Sequence, residues 1–277
     1  MAPPDAPRRL IVNADDFGRS RSVNEAVIRA HREGILTTAS LMVNEPDCAG
    51  AVALAAANPA LGVGLHLSLL CGRSALAPDR IPGLVNGRGD FSNNPVGVGM
   101  RYFFDRSLRE QLRAEIHEQF ARFRATGLPL DHVNGHLHLH LHPVVFGILM
   151  EDARALGIRH LRLTRDDLGL NTRLVRGRLA YRVSHAVIHI VLSARARSPL
   201  AVRGIKHTDV VFGLLQDSRV DEDFVRKLLP RLPAGDSELY SHPSLDDFRH
   251  EFDALVSPRV KSLVASEGIQ LIRYQDL

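Results

Sequence analysis

The sequence predicts an α/β fold with mostly parallel strands, about seven or eight of them, in a barrel-like arrangement. Short apolar runs alternate along the chain with longer stretches of helical periodicity, which is typical of a parallel sheet or barrel. Polar residues that can carry chemistry follow several of these apolar runs directly. The chain has 277 residues, 45% of them hydrophobic. That length is sufficient for one large domain, residues 1–277, with a sizeable core.

The first third of the chain alternates strands and helices without long connections. The helix after the first strand is predicted over Ser22–Glu33, because its apolar residues recur at helical spacing and Gly34 can end it. A second helix is predicted over Ala49–Ala57. The strands of this part are Arg9–Asn13, Ala39–Val43 and Gly62–His66.

The middle and the end of the chain are less regular. Residues Ala75–Phe104 contain scattered Pro, Gly and Asn without a period, which indicates an insertion over one face of the fold. An amphipathic helix is predicted over Leu108–Arg124, and Pro143 suits the first turn of another helix. The remaining strands are predicted at Leu130–Asn134, His160–Leu163, Val210–Phe212, Glu238–Ser241 and Gln270–Ile272.

Composition excludes several classes of protein. Two isolated cysteines, Cys48 and Cys71, favour neither a disulfide scaffold nor a zinc ribbon. The net charge is +4, but the chain has no tryptophan and no nucleic-acid-binding motif, so we expect no nucleic-acid partner. No apolar run has the length of a membrane span. The segment Met1–Arg9 lacks the pattern of a secretory signal, so we expect a cytoplasmic protein.

Asp16, His66 and His136 lie at or just after the carboxyl ends of predicted strands. Each residue alone has an ordinary structural explanation, as a turn, a helix cap or a rim histidine. Together they are more informative, because the carboxyl ends of parallel strands converge on the face where active sites lie. One carboxylate and two imidazoles suit a divalent ion with positions left open for water and substrate. Zinc is favoured, and magnesium or another divalent ion is the alternative.

Two further residues have the chemistry to act beside such an ion. Asp15 precedes the proposed ligand Asp16 and can accept a proton from an activated water. His242 follows another predicted strand and can protonate a departing amine, although its position also fits a simple rim histidine.

Four segments, distributed from near the start to near the end of the chain, resemble the signatures of YdjC-like carbohydrate deacetylases: Leu10–Gly18, Gly64–His66, Asn134–His138 and Glu238–Pro243. The resemblance implies a (β/α)-barrel-like deacetylase fold that removes acetyl groups from N-acetylated sugars. It implies that Asp16, His66 and His136 bind metal, that Asp15 is the general base and that His242 is the acid. Some relatives have adjacent histidines after the fourth strand, whereas this chain has Leu137 there. His138 and His140 then remain as substrate contacts or as residues that support the ligands.

Within that family the chain is most similar to the deacetylase associated with hopanoid biosynthesis. The similarity lies in Asn24–Val27, Ala39–Val43 and Phe123–Asn134. It implies an N-acetylglucosaminyl hopanoid, a lipid-linked sugar, as the substrate. Soluble chitooligosaccharides such as diacetylchitobiose are the alternative. A homodimer is implied only by the resemblance.

Residues 168–207 contain no Asp or Glu and many arginines around an apolar stretch. At helical spacing, Arg178, Arg182, His185 and His189 share one face and Val183, Val187, Ile190 and Ala194 another. Such a basic amphipathic helix can lie on an anionic membrane. A barrel helix with an arginine-rich solvent face, or a dimer contact, explains the pattern equally well. The membrane alternative predicts a peripheral protein on the inner membrane.

Two other functions compete with deacetylation. A metal-dependent esterase or phosphoesterase would use the same cluster, and its product would distinguish it. A non-catalytic protein that binds sugar or a lipid headgroup is the rival from another class, because a fold alone does not define an activity. The pair Asp15-Asp16 argues against that rival, since binding a sugar does not require an activated water.

Overall fold

The computed structural model describes residues 6–216 and 218–277. The segment Met1–Arg9, on which the expected absence of a secretory signal rests, lies partly outside these residues. The strands are β1 (Arg8–Phe17), β2 (Thr38–Leu41), β3 (Gly62–Leu67), β4 (Gly72–Arg73), β5 (Asp90–Phe91), β6 (Val133–Gly135), β7 (Val210–Phe212), β8 (Gly235–Ser241) and β9 (Gln270–Leu271).

Helices connect the strands and pack around the sheet. They are α1 (Arg21–Glu33), α2 (Cys48–Ala56), α3 (Pro95–Phe104), α4 (Arg109–Ala125), α5 (Pro143–Glu151), α6 (Ala153–Leu156), α7 (Leu168–Leu174), α8 (Leu179–Val202), α9 (Glu222–Leu228), α10 (Arg249–Val256) and α11 (Pro258–Ser266). Short 3₁₀ turns cover Arg106–Leu108, His136–Leu141, Leu229–Arg231 and Tyr274–Asp276. No helix of the described residues combines the length and the apolar character that a bilayer span requires.

Seven parallel strands form the main sheet in the order β6-β3-β2-β1-β8-β7, with β9 paired to β1. This arrangement confirms the predicted α/β class with a curled, mostly parallel sheet. The apolar side chains of β1, among them Leu10 and Val12, are fully buried in the main core. Near-continuous burial of this kind is expected when helices cover a parallel sheet.

A strand was predicted at His160–Leu163. This segment lies beside the sheet, but it pairs with its neighbours only through isolated β-bridges. Its backbone exchanges hydrogen bonds with Val133 of β6 on one side, and Leu161 donates to the carbonyl of Lys206 on the other. Farther on, Val211 of β7 donates to the carbonyl of Arg165. Residues 159–165 therefore bridge the two end strands of the sheet and draw it towards a barrel.

The expected insertion 75–104 contains β5 and helix α3, and β5 pairs antiparallel with β4, which lies just before the insertion. Asn94 caps α3 by accepting a hydrogen bond from the backbone of Gly97, and Pro95 occupies the first turn. The exposed face of α3 carries Val96, Met100, Phe103 and Phe104. This part of the insertion therefore presents apolar side chains to solvent rather than burying them.

Candidate metal centre and pocket

Asp16, His66 and His136 meet at the carboxyl ends of β1, β3 and β6. Oδ1 of Asp16 lies 3.3 Å from Nε2 of His66 and 3.1 Å from Nδ1 of His136. One ligand atom from each residue lies within 4.8 Å of the others. The sequence-predicted ligand set is therefore assembled in one place and can hold a metal ion.

A local irregularity of β1 positions Asp16. Opposite β2, the register passes from Ala14–Ala39 to Phe17–Leu41, so β1 contains one extra residue at this point. Asp16 itself has φ of 63°, in the left-handed region that few non-glycine residues adopt. Backbone strain of this kind costs about 1–3 kcal/mol and is concentrated at functional sites. The bulge directs the Asp16 carboxylate towards the two histidines.

The hydrogen bonds around His66 define which of its nitrogens faces the centre. Asp15 is ionised and can only accept, so the amide nitrogen of Asn134 donates to its Oδ1 at 3.0 Å. The amide oxygen of Asn134 then faces His66 and accepts from Nδ1–H at 2.7 Å. Nε2 is left directed at Asp16, the arrangement that outer partners impose on a metal-binding histidine. A cation among these three residues satisfies the carboxylate and both nitrogens, so the residues fit a divalent ion.

Charge within the cluster shifts the ionisation of its members. Burial disfavours the charged form of His66, but the carboxylates of Asp15 and Asp16 outweigh that cost and raise its pKa. Burial likewise opposes ionisation of Asp16, and hydrogen bonds from His136 and His66 overcome it, so the pKa of Asp16 lies well below its ordinary value. Asp16 is therefore ionised, as a carboxylate ligand of a metal ion must be.

Asp15 faces a different partner, the fully buried Arg162. The guanidinium donates to both carboxylate oxygens, at 2.7 and 3.0 Å, and to Glu238 at 2.6 Å. Burial raises the pKa of Asp15, but Arg162 more than compensates and lowers it far below its ordinary value. Tyr274 donates in turn to Glu238. Sequence reasoning missed this network, although an arginine between Leu161 and Leu163 in an apolar run was a signal of a buried charge.

His242 lies at the end of β8 beside the same pocket as Asp15. Its side chain is 24% exposed, and its Nδ1 lies 3.9 Å from the buried carboxylate of Glu251. Glu251 also accepts the backbone N–H of His242 at 2.5 Å. The imidazole therefore has solvent access on one side and an acidic group behind it.

His138 and His140 occupy different environments. The backbone turns sharply at Leu137 and His138, which both have positive φ. His138 lines the pocket, where its Nε2 lies 3.3 Å from the hydroxyl of Tyr240, and burial keeps its pKa well below the ordinary value. His140 is fully buried, donates from Nε2 to the carbonyl of Arg162 at 2.9 Å and does not line the pocket. This geometry favours the alternative in which His140 supports the candidate ligands and does not contact the substrate.

These residues surround a pocket of about 630 Å³, a size typical of small-molecule sites. Its floor is polar and contains the candidate metal centre. Its rim is apolar and comes from three separate parts of the chain, α3, the 3₁₀ turn after β6, and α8; the rim residues are Val96, Leu137 and Ile188. Tyr240 and His189 also line it and were not among the predicted site residues. The pocket thus combines a polar reacting centre with an apolar entrance.

A curled parallel α/β sheet with an Asp-His-His cluster at the carboxyl ends of its strands defines a barrel-like protein with a candidate metal centre. The chain belongs to the YdjC-like family, because the family model described as YdjC-like protein matches residues 9–266. That region contains every candidate site residue.

Curated relatives extend the comparison. A carbohydrate deacetylase of Brevibacillus brevis is 43% identical over 143 residues, which are 52% of this chain and 54% of that protein. A carbohydrate deacetylase of Geobacillus stearothermophilus is 41% identical, and the match covers 62% of its length. The chain thus spans only about half to two thirds of these two relatives. A chitooligosaccharide deacetylase of Proteus mirabilis is 31% identical over 97% of this chain and 98% of its own.

The fold also matches a solved structure from Enterococcus faecalis V583, provisionally assigned to cellobiose-phosphate cleavage. The TM-score is 0.77 at 21% sequence identity, and the match covers 98% of this chain and 99% of the other. At this identity the likeness concerns the fold alone.

Proposed function

We propose that this chain is a metal-dependent carbohydrate N-deacetylase. It hydrolyses the acetamide of an N-acetylglucosaminyl group to a free amine and acetate. The observation that carries the proposal is the convergence of Asp16, His66 and His136 in one pocket with Asp15 and His242. The names of the curated relatives agree with this chemistry. An esterase or phosphoesterase would release a different product.

Asp16, His66 and His136 would hold the metal ion. Two imidazoles and one carboxylate favour zinc, with magnesium or another divalent ion as the alternative. When bound, a divalent ion supplies Lewis acidity, which acidifies water and polarises a carbonyl group.

The remaining residues would move the protons of the hydrolysis. Asp15 accepts a proton from the attacking water as the new C–O bond forms. Arg162 holds Asp15 in place through two hydrogen bonds, which also keep the carboxylate ionised. His242 donates a proton to the sugar nitrogen as the C–N bond breaks, so that the amine leaves uncharged. His138 and Tyr240 line the pocket and would contact the sugar from its side.

We further propose that the sugar is attached to a lipid, an N-acetylglucosaminyl hopanoid. The support is the apolar entrance of the pocket. On α8, the buried residues include Arg182, His189 and Ser193, whereas the exposed ones include a row of aliphatic side chains. The aliphatic residues are Leu179, Val183, Val187, Ile188, Ile190 and Val191, each 40–57% exposed. The outer face of α8 is thus largely apolar over residues 179–191, unlike the polar solvent face of an ordinary barrel helix.

Helix α3 contributes Val96 to the same entrance and carries further exposed apolar side chains, Met100, Phe103 and Phe104. Patches of this extent mark interaction sites. We therefore propose a cytoplasmic protein that contacts the inner membrane through α3 and α8, with residues 75–104 contributing to substrate entry. A homodimer through the same face is the competing use of this surface.

The test is acetate release from an N-acetylglucosaminyl hopanoid and from diacetylchitobiose, each with and without a chelator. Chelator-sensitive release from the lipid alone would support both the chemistry and the lipid substrate. Release from chitobiose alone would keep the deacetylase and reject the hopanoid. No release from either, in protein that contains metal, would reject the proposal in favour of a non-catalytic sugar-binding protein or another acyl substrate.

A further inference from the structure

A second cleft, of about 830 Å³, lies beside the catalytic pocket. Among the described residues, seven basic side chains line it and only two acidic ones. The basic side chains are Arg173, Arg176, Arg178, Arg182, Arg219, Lys227 and Arg231. The two acids are already engaged, since Asp221 caps α9 and Asp223 pairs with Lys227 at 2.5 Å. The described side chains of the cleft therefore carry more positive than negative charge.

Arg182 is the buried member of this set, with 4% of its surface exposed. Its guanidinium donates to the oxygens of Asn171, Val175 and Gly177, which are all uncharged. No carboxylate of the described residues pairs with it, and its Nε has no hydrogen-bond partner there. A buried charge without a counter-ion is costly, because carbonyl groups solvate it without neutralising it. The cleft thus contains a buried guanidinium whose charge a bound anion would neutralise.

The backbone adds to the same potential. The 24-residue helix α8 begins at this cleft, and its N-cap residue Arg178 provides no side-chain cap. The first amides of a helix carry partial positive charge and bind anions when they are left uncapped. Three arginines of the cleft, Arg173, Arg176 and Arg219, make no side-chain hydrogen bond or ion pair with the described residues. These side chains are exposed and available to a ligand.

We propose that this cleft binds a phosphate group. Arginine is suited to phosphate, because its planar donors match two phosphate oxygens at once. Several arginines around one cavity favour a di-anionic or larger group over a single carboxylate. The volume accommodates a phosphate together with the group that bears it.

The cleft and the catalytic pocket share two walls. On α8, Arg178 and Arg182 line the cleft, whereas His185 and His189 line the pocket. In the loop after β7, Leu215 and Arg219 face the cleft, whereas Leu214 and Ser218 face the pocket. A phosphate in the cleft would therefore lie directly beside a bound sugar. The phosphate can belong to a lipid headgroup beside the pocket or to a soluble phosphate ester.

The experiment compares two triple variants with equal loss of charge. The cleft variant is Arg173→Gln/Arg176→Gln/Arg219→Gln. The control is Arg80→Gln/Arg124→Gln/Arg154→Gln, three exposed arginines outside the cleft whose side chains make no hydrogen bond or ion pair with the described residues. Arg182 is left unchanged because it binds several backbone carbonyls. Thermal melting verifies that both variants fold.

Titration calorimetry with inorganic pyrophosphate at low ionic strength is the primary readout. We expect the wild type and the control to bind equally, and the cleft variant to bind at least about tenfold more weakly. Equal affinity of the two variants would overturn the proposal, because general surface charge would then explain binding. Absence of wild-type binding at about 1 mM pyrophosphate would also overturn it.

Vesicle flotation distinguishes the two sources of the phosphate. Vesicles contain either phosphatidylcholine alone or phosphatidylcholine with phosphatidylglycerol. Selective binding to the anionic vesicles that is lost in the cleft variant, together with the loss of pyrophosphate binding, identifies a headgroup site. Pyrophosphate binding without vesicle binding identifies a site for a soluble phosphate ester. Both readouts are independent of deacetylation, so failure of the proposed activity does not affect them.

Discussion

Asp15 and Asp16 are neighbours in sequence, but their carboxylates belong to different clusters. Asp16 faces two imidazoles, and its backbone is held at positive φ in the bulge of β1. Asp15 faces the buried guanidinium of Arg162 and the amides of Asn13 and Asn134. Because the partners differ, removal of each charge should have a different consequence.

Asp16→Ala should abolish both metal binding and acetate release, because it removes the carboxylate of the ligand set. Asp15→Asn should retain metal and lose about 10²–10⁴-fold in turnover, the usual loss when a general base is removed. Metal content by plasma mass spectrometry and acetate release by a coupled assay measure the two effects.

The exposed Asp253→Asn is the control for loss of one carboxylate charge. Asp15→Asn also weakens a buried ion pair, which costs up to about 3–5 kcal/mol of stability, so activity is measured well below the melting temperature of each variant. Full activity of Asp15→Asn would show that another group accepts the proton. Loss of metal in that variant would assign Asp15 to the ligand set.

His242→Gln should slow deacetylation most for substrates whose amine is a poor leaving group. An acid that protonates the departing nitrogen matters less when the leaving group is already activated. We expect a loss of about 10²-fold or more with an N-acetylglucosaminyl sugar and a clearly smaller loss with an aryl acetamide, measured as kcat/KM. An equal loss with both substrates would instead indicate that His242 only shapes the rim of the pocket.

The convergence of the three candidate ligands could be predicted from the sequence, whereas the residues that support them could not. Asp16, His66 and His136 each follow an apolar run, and parallel topology brings such positions together. Arg162 and Glu238 are 76 residues apart, and only the curvature of the sheet joins them. Local sequence holds no information on that pairing beyond an isolated charge inside an apolar run.

At the scale of elements, the apolar periodicity predicted the strands of the main sheet and helices α1, α2 and α4 to within a few residues, with two exceptions among the strands. It did not predict the short pair β4-β5 or helices α3, α6, α7, α9, α10 and α11. The two exceptions among the strands have physical causes. β1 continues to Phe17, beyond its predicted end, because the bulge accommodates Asp15 and Asp16 within the ladder. The segment 160–163 forms single bridges because it spans between β6 and the residues before β7 rather than running beside one partner. Helix α8 has the predicted faces, and only the packing shows that Arg182 and His189 point inwards.

Asp166, in the turn that follows the bridging segment, should make folding stability depend on pH. Burial raises its pKa to about 7, although backbone N–H groups, including that of Leu215, oppose the shift. The unfolded carboxyl has a pKa of about 3.9, so the folded state favours the protonated form. Its stabilising contribution is complete below about pH 3.9 and is lost as pH rises through about 7. In the wild type, the free energy of unfolding should therefore fall by a few kcal/mol between about pH 3.9 and about pH 7. Asp166→Asn should remove this fall.

Urea unfolding at several pH values between 5 and 9 measures this effect as the difference between wild type and variant. Asp79→Asn, at an exposed position, is the control and should leave the pH profile unchanged. If Asp166→Asn retained the full wild-type decline in stability, the buried carboxyl would not be its source.

At the scale of the whole molecule, polar and apolar surfaces are arranged around one entrance. The candidate metal cluster lies on the floor of the pocket, and the exposed apolar side chains Val96 of α3 and Ile188 of α8 lie at its mouth. The basic cleft lies beside this pocket, at the N-terminal end of α8. An apolar rim next to a basic cleft agrees with the membrane contact proposed above, since such surfaces can bind anionic membranes. A dimer would bury the same apolar side chains against a second copy.

These two uses of the surface make opposite predictions for Val187, which is 54% exposed on α8. If the face enters a membrane, Val187→Asp should weaken partitioning onto anionic vesicles about tenfold, because one buried Val side chain is worth about 1.5 kcal/mol. Turnover of diacetylchitobiose should then be unchanged. Val202→Asp, at the far end of the helix and 81% exposed, is the matched control and should partition like the wild type. If the face is a dimer contact, sedimentation velocity should instead show that Val187→Asp converts a dimer into a monomer, with equal vesicle binding in both variants.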